Sequence, residues 1–214
     1  MGRLPAALPE PAAPVGPATR DDVEAALAAQ GGPVCFSGWM LMEADLSALD
    51  LRGCAFARCR GGRADLSSCD LTEAQFAGCD FNNATFRRAT LASASFIDCK
   101  LTGIQLVAAS MFGLTFSRCL LINAHLRGLS FRRADLEGLD FQDADLTEAD
   151  FRQAVLKDCN LREANVTHAR FEGADLRGAD LGGLKLADVT RFKGAIISRA
   201  QASELVASLG LKLG

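Results

Sequence analysis

Residues 131–151 read FRRADLEGLDFQDADLTEADF. Their large apolar residues, Phe131, Leu136, Phe141, Leu146 and Phe151, fall on every fifth position. Ala134, Leu139, Ala144 and Ala149 sit two places before the last four of them. Followed outward, this phase holds without a slip from Phe36 to Leu186, through 31 units. The large slot carries 17 Leu and 11 Phe, with Met111, Val166 and Gly61 in the other three. The small slot carries 16 Ala and seven Cys, and its remaining eight residues are also apolar.

A period of five suits neither common element. On a helix, five residues turn the side chain about 140° away from its start, so no apolar stripe forms. On a strand, odd spacing throws successive large residues to opposite faces. The pattern is satisfied if the chain turns a corner every five residues and closes a square coil after 20. Each wall then points one large and one small side chain inward, and coils stack because a single coil cannot bury its own apolar face. Stacking predicts columns: Phe56, Phe76, Phe96 and Phe116 on one wall, and Phe131, Phe151 and Phe171 on another.

The units ADLSA, ADLSS, ADLTE, ADLEG, ADFRQ, ADLRG and ADLGG resemble the A(D/N)LXX motif of the pentapeptide-repeat proteins. The resemblance covers residues 36–188 and implies an all-β solenoid, a right-handed quadrilateral β-helix. The size of the repeat and its helical ending resemble the topoisomerase-protecting branch, which includes the Qnr-type, MfpA-type and albicidin-resistance proteins. That resemblance implies a homodimer joined at its C-terminal ends that binds DNA gyrase or topoisomerase IV, imitates duplex DNA, and counters a quinolone, albicidin or a peptide toxin. Many Qnr-type proteins carry two loops that break the repeat. Here the unbroken phase predicts none, or only insertions in multiples of five.

Four segments are expected. Residues 1–18, holding five of the six prolines, read as a flexible or extended tail. Residues 19–33 read as a capping helix, with Thr19 as N-cap, acids at its start and Gly31–Gly32 as its stop. Residues 34–190 form the β-helix. Residues 191–214 read as a C-terminal helix and tail, opened by a Ser198–Gln201 capping box. Phe192, Ile196, Ile197, Ala202, Leu205, Val206, Leu209 and Leu211 give this end an apolar surface suited to a lid and a two-fold dimer contact. The chain has no run of 18 apolar residues and no apolar secretory core at its start, which points to the cytoplasm and away from a membrane.

The cysteines tempt a metal reading, but seven of the eight occupy the small inward slot at spacings that are multiples of five, and they read as small core residues. Cys35 is off the phase and belongs outside or in the cap. His125 and His168 fall on outward positions without a triad partner. There is no phosphate loop or nucleophile elbow, so neither enzyme, metal nor other cofactor is expected.

Charge is uneven along the chain. Between Asp135 and Asp180 twelve acids face five bases, whereas Phe36–Ala134 holds eight acids and eleven bases. Joined at their C-termini, two chains would bring acidic halves together. Asp135, Asp140, Asp143, Asp145, Glu148, Asp150, Asp175 and Asp180 are the expected partner-binding surface. A groove built for DNA is basic, so an acidic rod fits it, and direct nucleic-acid binding is not expected. Two stretches depart from the ideal repeat. In residues 58–65, Gly61 takes a large slot between Arg60, Gly62 and Arg63, which leaves either a bulge or a flexible basic loop. In residues 104–129, Val107, Phe112, Leu120 and Ile122 fall on outward positions, as an exposed patch or after a local change of register. The contrasting function is a scaffold repeat protein with another partner; a third is self-immunity in a cell that makes a gyrase poison.

Overall fold

The computed structural model describes residues 8–183, 189–208 and 210. They form a parallel β-solenoid with helices at its ends: α1 (Arg20–Gln30), and α2 (Arg199–Ser208) after a 3-10 turn at Val189–Phe192. The chain divides into two compact units, Met1–His125 and Leu126–Gly214.

In the first unit every coil has four walls. Wall one carries the strands β1 (Cys35–Ser37), β2 (Ala55–Ala57), β3 (Gln75–Ala77), β4 (Ser95–Ile97) and β5 (Thr115–Ser117). They form one parallel sheet in register, with Phe36, Phe56, Phe76, Phe96 and Phe116 opposite one another. The other walls pair through single bridges 20 residues apart, such as Arg60 with Asp80, Asp45 with Asp65 and Asp50 with Asp70. The corners explain the period. After Leu41, Leu46 and Leu51 the fourth residue's N–H returns to the first residue's carbonyl, and the third residue (Glu43, Ala48, Gly53) has a positive φ of 58–67°. This is a type II turn, which needs a left-handed third residue. It recurs with Arg, Ser, Asp and Asn in that place, so stacking holds a conformation that such residues adopt only at some cost.

The large residues fill the tube. Phe56, Phe76 and Phe96 stack with ring centroids 4.6 and 4.4 Å apart, and Phe116 follows at 5.3 Å. Gly61 leaves neither hole nor bulge. Its N–H reaches the Asp80 carbonyl at 2.7 Å and its carbonyl accepts from Ala64, so the coil is regular there. The Phe81 ring of the next coil fills the vacated space and lies edge-on to Phe56 and Phe76.

The N-terminal segment is extended, and it is put to use. Cys35 N–H donates to the Pro9 carbonyl at 2.8 Å, Trp39 Nε1 to the Pro11 carbonyl at 3.4 Å, and Ala18 N–H to the Met40 carbonyl at 2.7 Å. Residues 8–18 thereby occupy backbone groups of the first coil, a sheet edge that would otherwise stay open. Helix α1 completes the cover: Thr19 and Asp22 form a capping box, Gly31 ends the helix in the left-handed region, and Val23 is fully buried.

The second unit repeats the plan. Strands β6 (Asp135–Glu137) and β7 (Val155–Lys157) pair on wall one. Phe131, Phe151 and Phe171 stack at 4.8 Å intervals on wall four. Phe192 continues that column, 4.7 Å from Phe171 and nearly parallel to it. Residues 191–196 complete the last coil, since Arg191, Lys193 and Ile196 accept from Phe171, Gly173 and Leu176. Ser198 and Gln201 form the capping box of α2. Gln201 also reaches into the tube, where its Nε2 donates to the carbonyls of Leu176 at 2.6 Å and Ala179 at 2.7 Å.

Candidate functional site

Asp before a large slot has a local task before it has any partner. Asp140, Asp145 and Asp150 each accept the backbone N–H two residues on, from Gln142, Thr147 and Arg152, at 3.0 Å. These Asx turns hold the corners. Residue number then fixes direction: positions 20 apart stack on one wall, and positions five apart lie on successive walls.

The eight expected acids therefore do not share a face. Asp135 and Asp175 stand on wall one, Asp140 and Asp180 on wall two, Asp145 on wall three and Asp150 on wall four. Asp143 and Glu148 occupy corners. Several are also paired within the chain. Asp150 holds Arg152 by two bonds of 2.8 and 2.5 Å, and Asp175 holds Arg177. In each case the guanidinium bond keeps the carboxyl below its usual range. Glu148 meets Arg127 at 2.8 Å, and Asp180 meets Arg162 at 3.5 Å.

Sorted by wall, one acidic stripe remains. Asp140, Asn160 and Asp180 form a column on wall two. Asp158 lies on one edge of that wall, and Asp143 and Glu163 lie on the other. Asp143, Asp158, Glu163 and Asp180 are exposed, and Asp140 is half-buried. Arg162 is the one base among these five acids, a net −4. Counted the same way, wall four is nearly balanced, with Arg132, Arg133, Arg152 and Arg170 against Glu148, Asp150 and Glu172, a net +1. Asp158 and Glu163 were not among the expected residues. Dividing residue numbers by 20 would have found them.

The remaining candidate residues separate clearly. Arg60 is exposed on wall two of the first unit, Gly62 lies in the regular coil, and Arg63 pairs with Glu43. Phe112 is 86% exposed and Val107 47%, so they are not reburied; Leu120 is also exposed and Ile122 half-buried. At the C-terminal end, half-buried Phe192 is spent on its own column. Ile196 is 49% exposed, while Ile197, Ala202, Leu205 and Val206 are half-buried. Leu209 and Leu211 lie outside the described residues. The seven inward cysteines are buried and Cys35 is half-buried. His125 is exposed, and His168 meets Arg191 through its ring nitrogen and its carbonyl. Among the described residues no helix is long and apolar enough to cross a membrane.

The pentapeptide repeat region family model matches residues 33–106, 69–137 and 114–192. The chain is a pentapeptide-repeat protein. Among solved structures, this pentapeptide-repeat protein is similar to a trypsin-treated, singly substituted form of QnrB1, a plasmid-mediated fluoroquinolone resistance protein, at 22% identity and TM-score 0.74, covering 85% of this chain and 90% of that one. Full-length QnrB1 matches at 19% identity and TM-score 0.63, covering 83% of this chain and all of that one. No curated protein matched in sequence.

Proposed function

We propose that this pentapeptide-repeat protein is a non-enzymatic binding protein that engages DNA gyrase or topoisomerase IV and protects it from an antibacterial poison. The observation that carries the reading is the acidic stripe on wall two of the second unit, in a fold similar to that of a fluoroquinolone resistance protein. Its net four charges lie in three stacked coils, two steps of about 4.8 Å or about 10 Å from first to last. That is a mean interval of about 3.2 Å between charges, close to the one per about 3.4 Å along a single DNA strand. Such a stripe is complementary to a basic DNA groove, and its attraction weakens with salt. A homodimer through Ile196, Ile197 and the half-buried Ala202, Leu205 and Val206 of α2 would present two stripes.

The test is a gyrase supercoiling and cleavage assay with and without a quinolone or albicidin. Added protein should restore supercoiling and reduce drug-induced cleavage. The quadruple variant D140N/D143N/E163Q/D180N should lose this effect, while D135N/D150N should keep it. Absence of any effect from the unaltered protein would favour the scaffold reading. Equal loss in both variants would sink the stripe. Light scattering checks the dimer, and a monomer at micromolar concentration would remove it from the reading.

A further inference from the structure

We propose that four stacked cysteines in the first unit form a binding site for a soft, two-coordinate cation of the mercury(II) class. Cys59, Cys79, Cys99 and Cys119 occupy the same corner, after wall one, in four successive coils. All four are buried. Their thiols donate to the carbonyls of Phe36, Phe56, Phe76 and Phe96 at 3.0, 3.1, 3.5 and 3.4 Å, so each side chain adopts the same orientation as the next.

The repeat sets the spacing. Rings on the adjoining wall lie 4.6, 4.4 and 5.3 Å apart through these coils. A metal–thiolate bond of about 2.3 Å gives a linear S–M–S span of about 4.6 Å. That span is close to the coil spacing of about 4.8 Å, so one ion would bridge two adjacent coils. Two adjacent coils supply two thiols to one ion, too few for tetrahedral zinc, which takes four ligands.

Charge selects within the soft cations that thiolates prefer. Two thiols lose their protons to water, two S–H bonds break and two S–Hg bonds form, giving a neutral RS–Hg–SR unit. Copper(I) or silver(I) in the same place would leave a negative charge in an apolar tube, at a large desolvation cost. Four thiols take two mercury(II) ions. Of the other cysteines in this unit, Cys69 stands alone in another corner, and Cys54 has Cys35 beside it.

The experiment uses the full chain carrying C35A, so that Cys35 cannot pair with Cys54 or Cys59, with mercuric chloride and a monothiol competitor, read by native mass spectrometry and far-UV circular dichroism. In this background the protein with all four stacked cysteines should retain two ions, each replacing two protons, with its β spectrum intact. C59A/C79A leaves adjacent Cys99 and Cys119 and should retain one. C79A/C119A leaves Cys59 and Cys99 two coils apart, roughly 10 Å, and should retain none. Ala fills this slot at Ala179, so both variants have a residue the fold accepts. Equal retention by the two double variants, or uptake only with loss of the β spectrum, would overturn the proposal.

Discussion

Gly61 and Phe81 share one volume, and substituting Gly61 by Ala tests that directly. A Cβ built on Gly61 would sit 2.5 Å from Phe81 Cδ1 and 2.7 Å from its Cζ, with Cε1 closer still. Comfortable carbon contacts are about 3.5–4.0 Å, so the ring must retreat by about 1 Å. It cannot do so freely, because Phe56, Phe76 and Phe86 surround it with centroids 6.3, 5.4 and 6.3 Å away. Gly61 does not have a positive φ, so the backbone accepts Ala and the cost is steric. Overpacking of this kind costs about 1–3 kcal/mol. Phe81→Ala alone should cost about 3–5 kcal/mol through the cavity it leaves. In that cavity the Gly61→Ala methyl group meets no ring, and its own cost should fall to about zero. The double variant should thus be about 1–3 kcal/mol more stable than the sum of the two single effects predicts. Urea unfolding, followed by circular dichroism and by Trp39, the only tryptophan, reads the cycle if both probes report one transition. Gly61→Ala at unaltered stability, or two costs that simply add, would refute the shared volume.

Gln201→Ala removes two donors from the carbonyls of Leu176 and Ala179 and half of the α2 capping box, a loss of about 2–4 kcal/mol. Amide exchange should quicken in residues 174–180 and in α2 while β1–β4 keep their protection; uniform exchange would show that Gln201 is not the plug. Asp150 has its carboxyl held below the usual range by the Arg152 guanidinium, with side chains only 20% and 26% exposed. A depressed folded pKa contributes stability above the unfolded value of about 3.9 and loses it as pH falls through the folded value. Asp150→Asn should therefore lower Tm by about 2–4 °C at pH 7 and converge with the unaltered protein at acid pH; a constant gap in thermal scans from pH 7 to 2 would contradict the pairing.

The tube itself was legible in the sequence because a period of five has one economical solution. The Phe columns, the inward cysteines, the Thr19 N-cap and the Ser198–Gln201 box followed from the residues and their spacing. What stayed hidden was compensation between coils. Gly61 reads as a defect until Phe81, 20 residues later, is seen to fill it. Gln201 reads as a helix cap, yet its amide also plugs the solenoid, because a sequence does not show which carbonyls lie beneath. Residues 8–18 carry no strand pattern, since the edge they cover needs only their carbonyls and one N–H.

The acidic surface shows a different limit. A count along the chain adds charges that point in four directions, and between Asp135 and Asp180 it adds a nearly balanced wall four to the acidic wall two. A partner does not meet that sum. At an ionic strength of about 0.1 M exposed charges are screened beyond about 10 Å, so a docked groove senses the wall in front of it. Asp150 and Asp175 are partly cancelled by the arginines they hold, whereas Asp143 and Glu163 stack along one corner. The physical content of a repeat's charge is thus its phase within the 20-residue coil, and two repeat proteins of equal net charge can present opposite faces to the same groove.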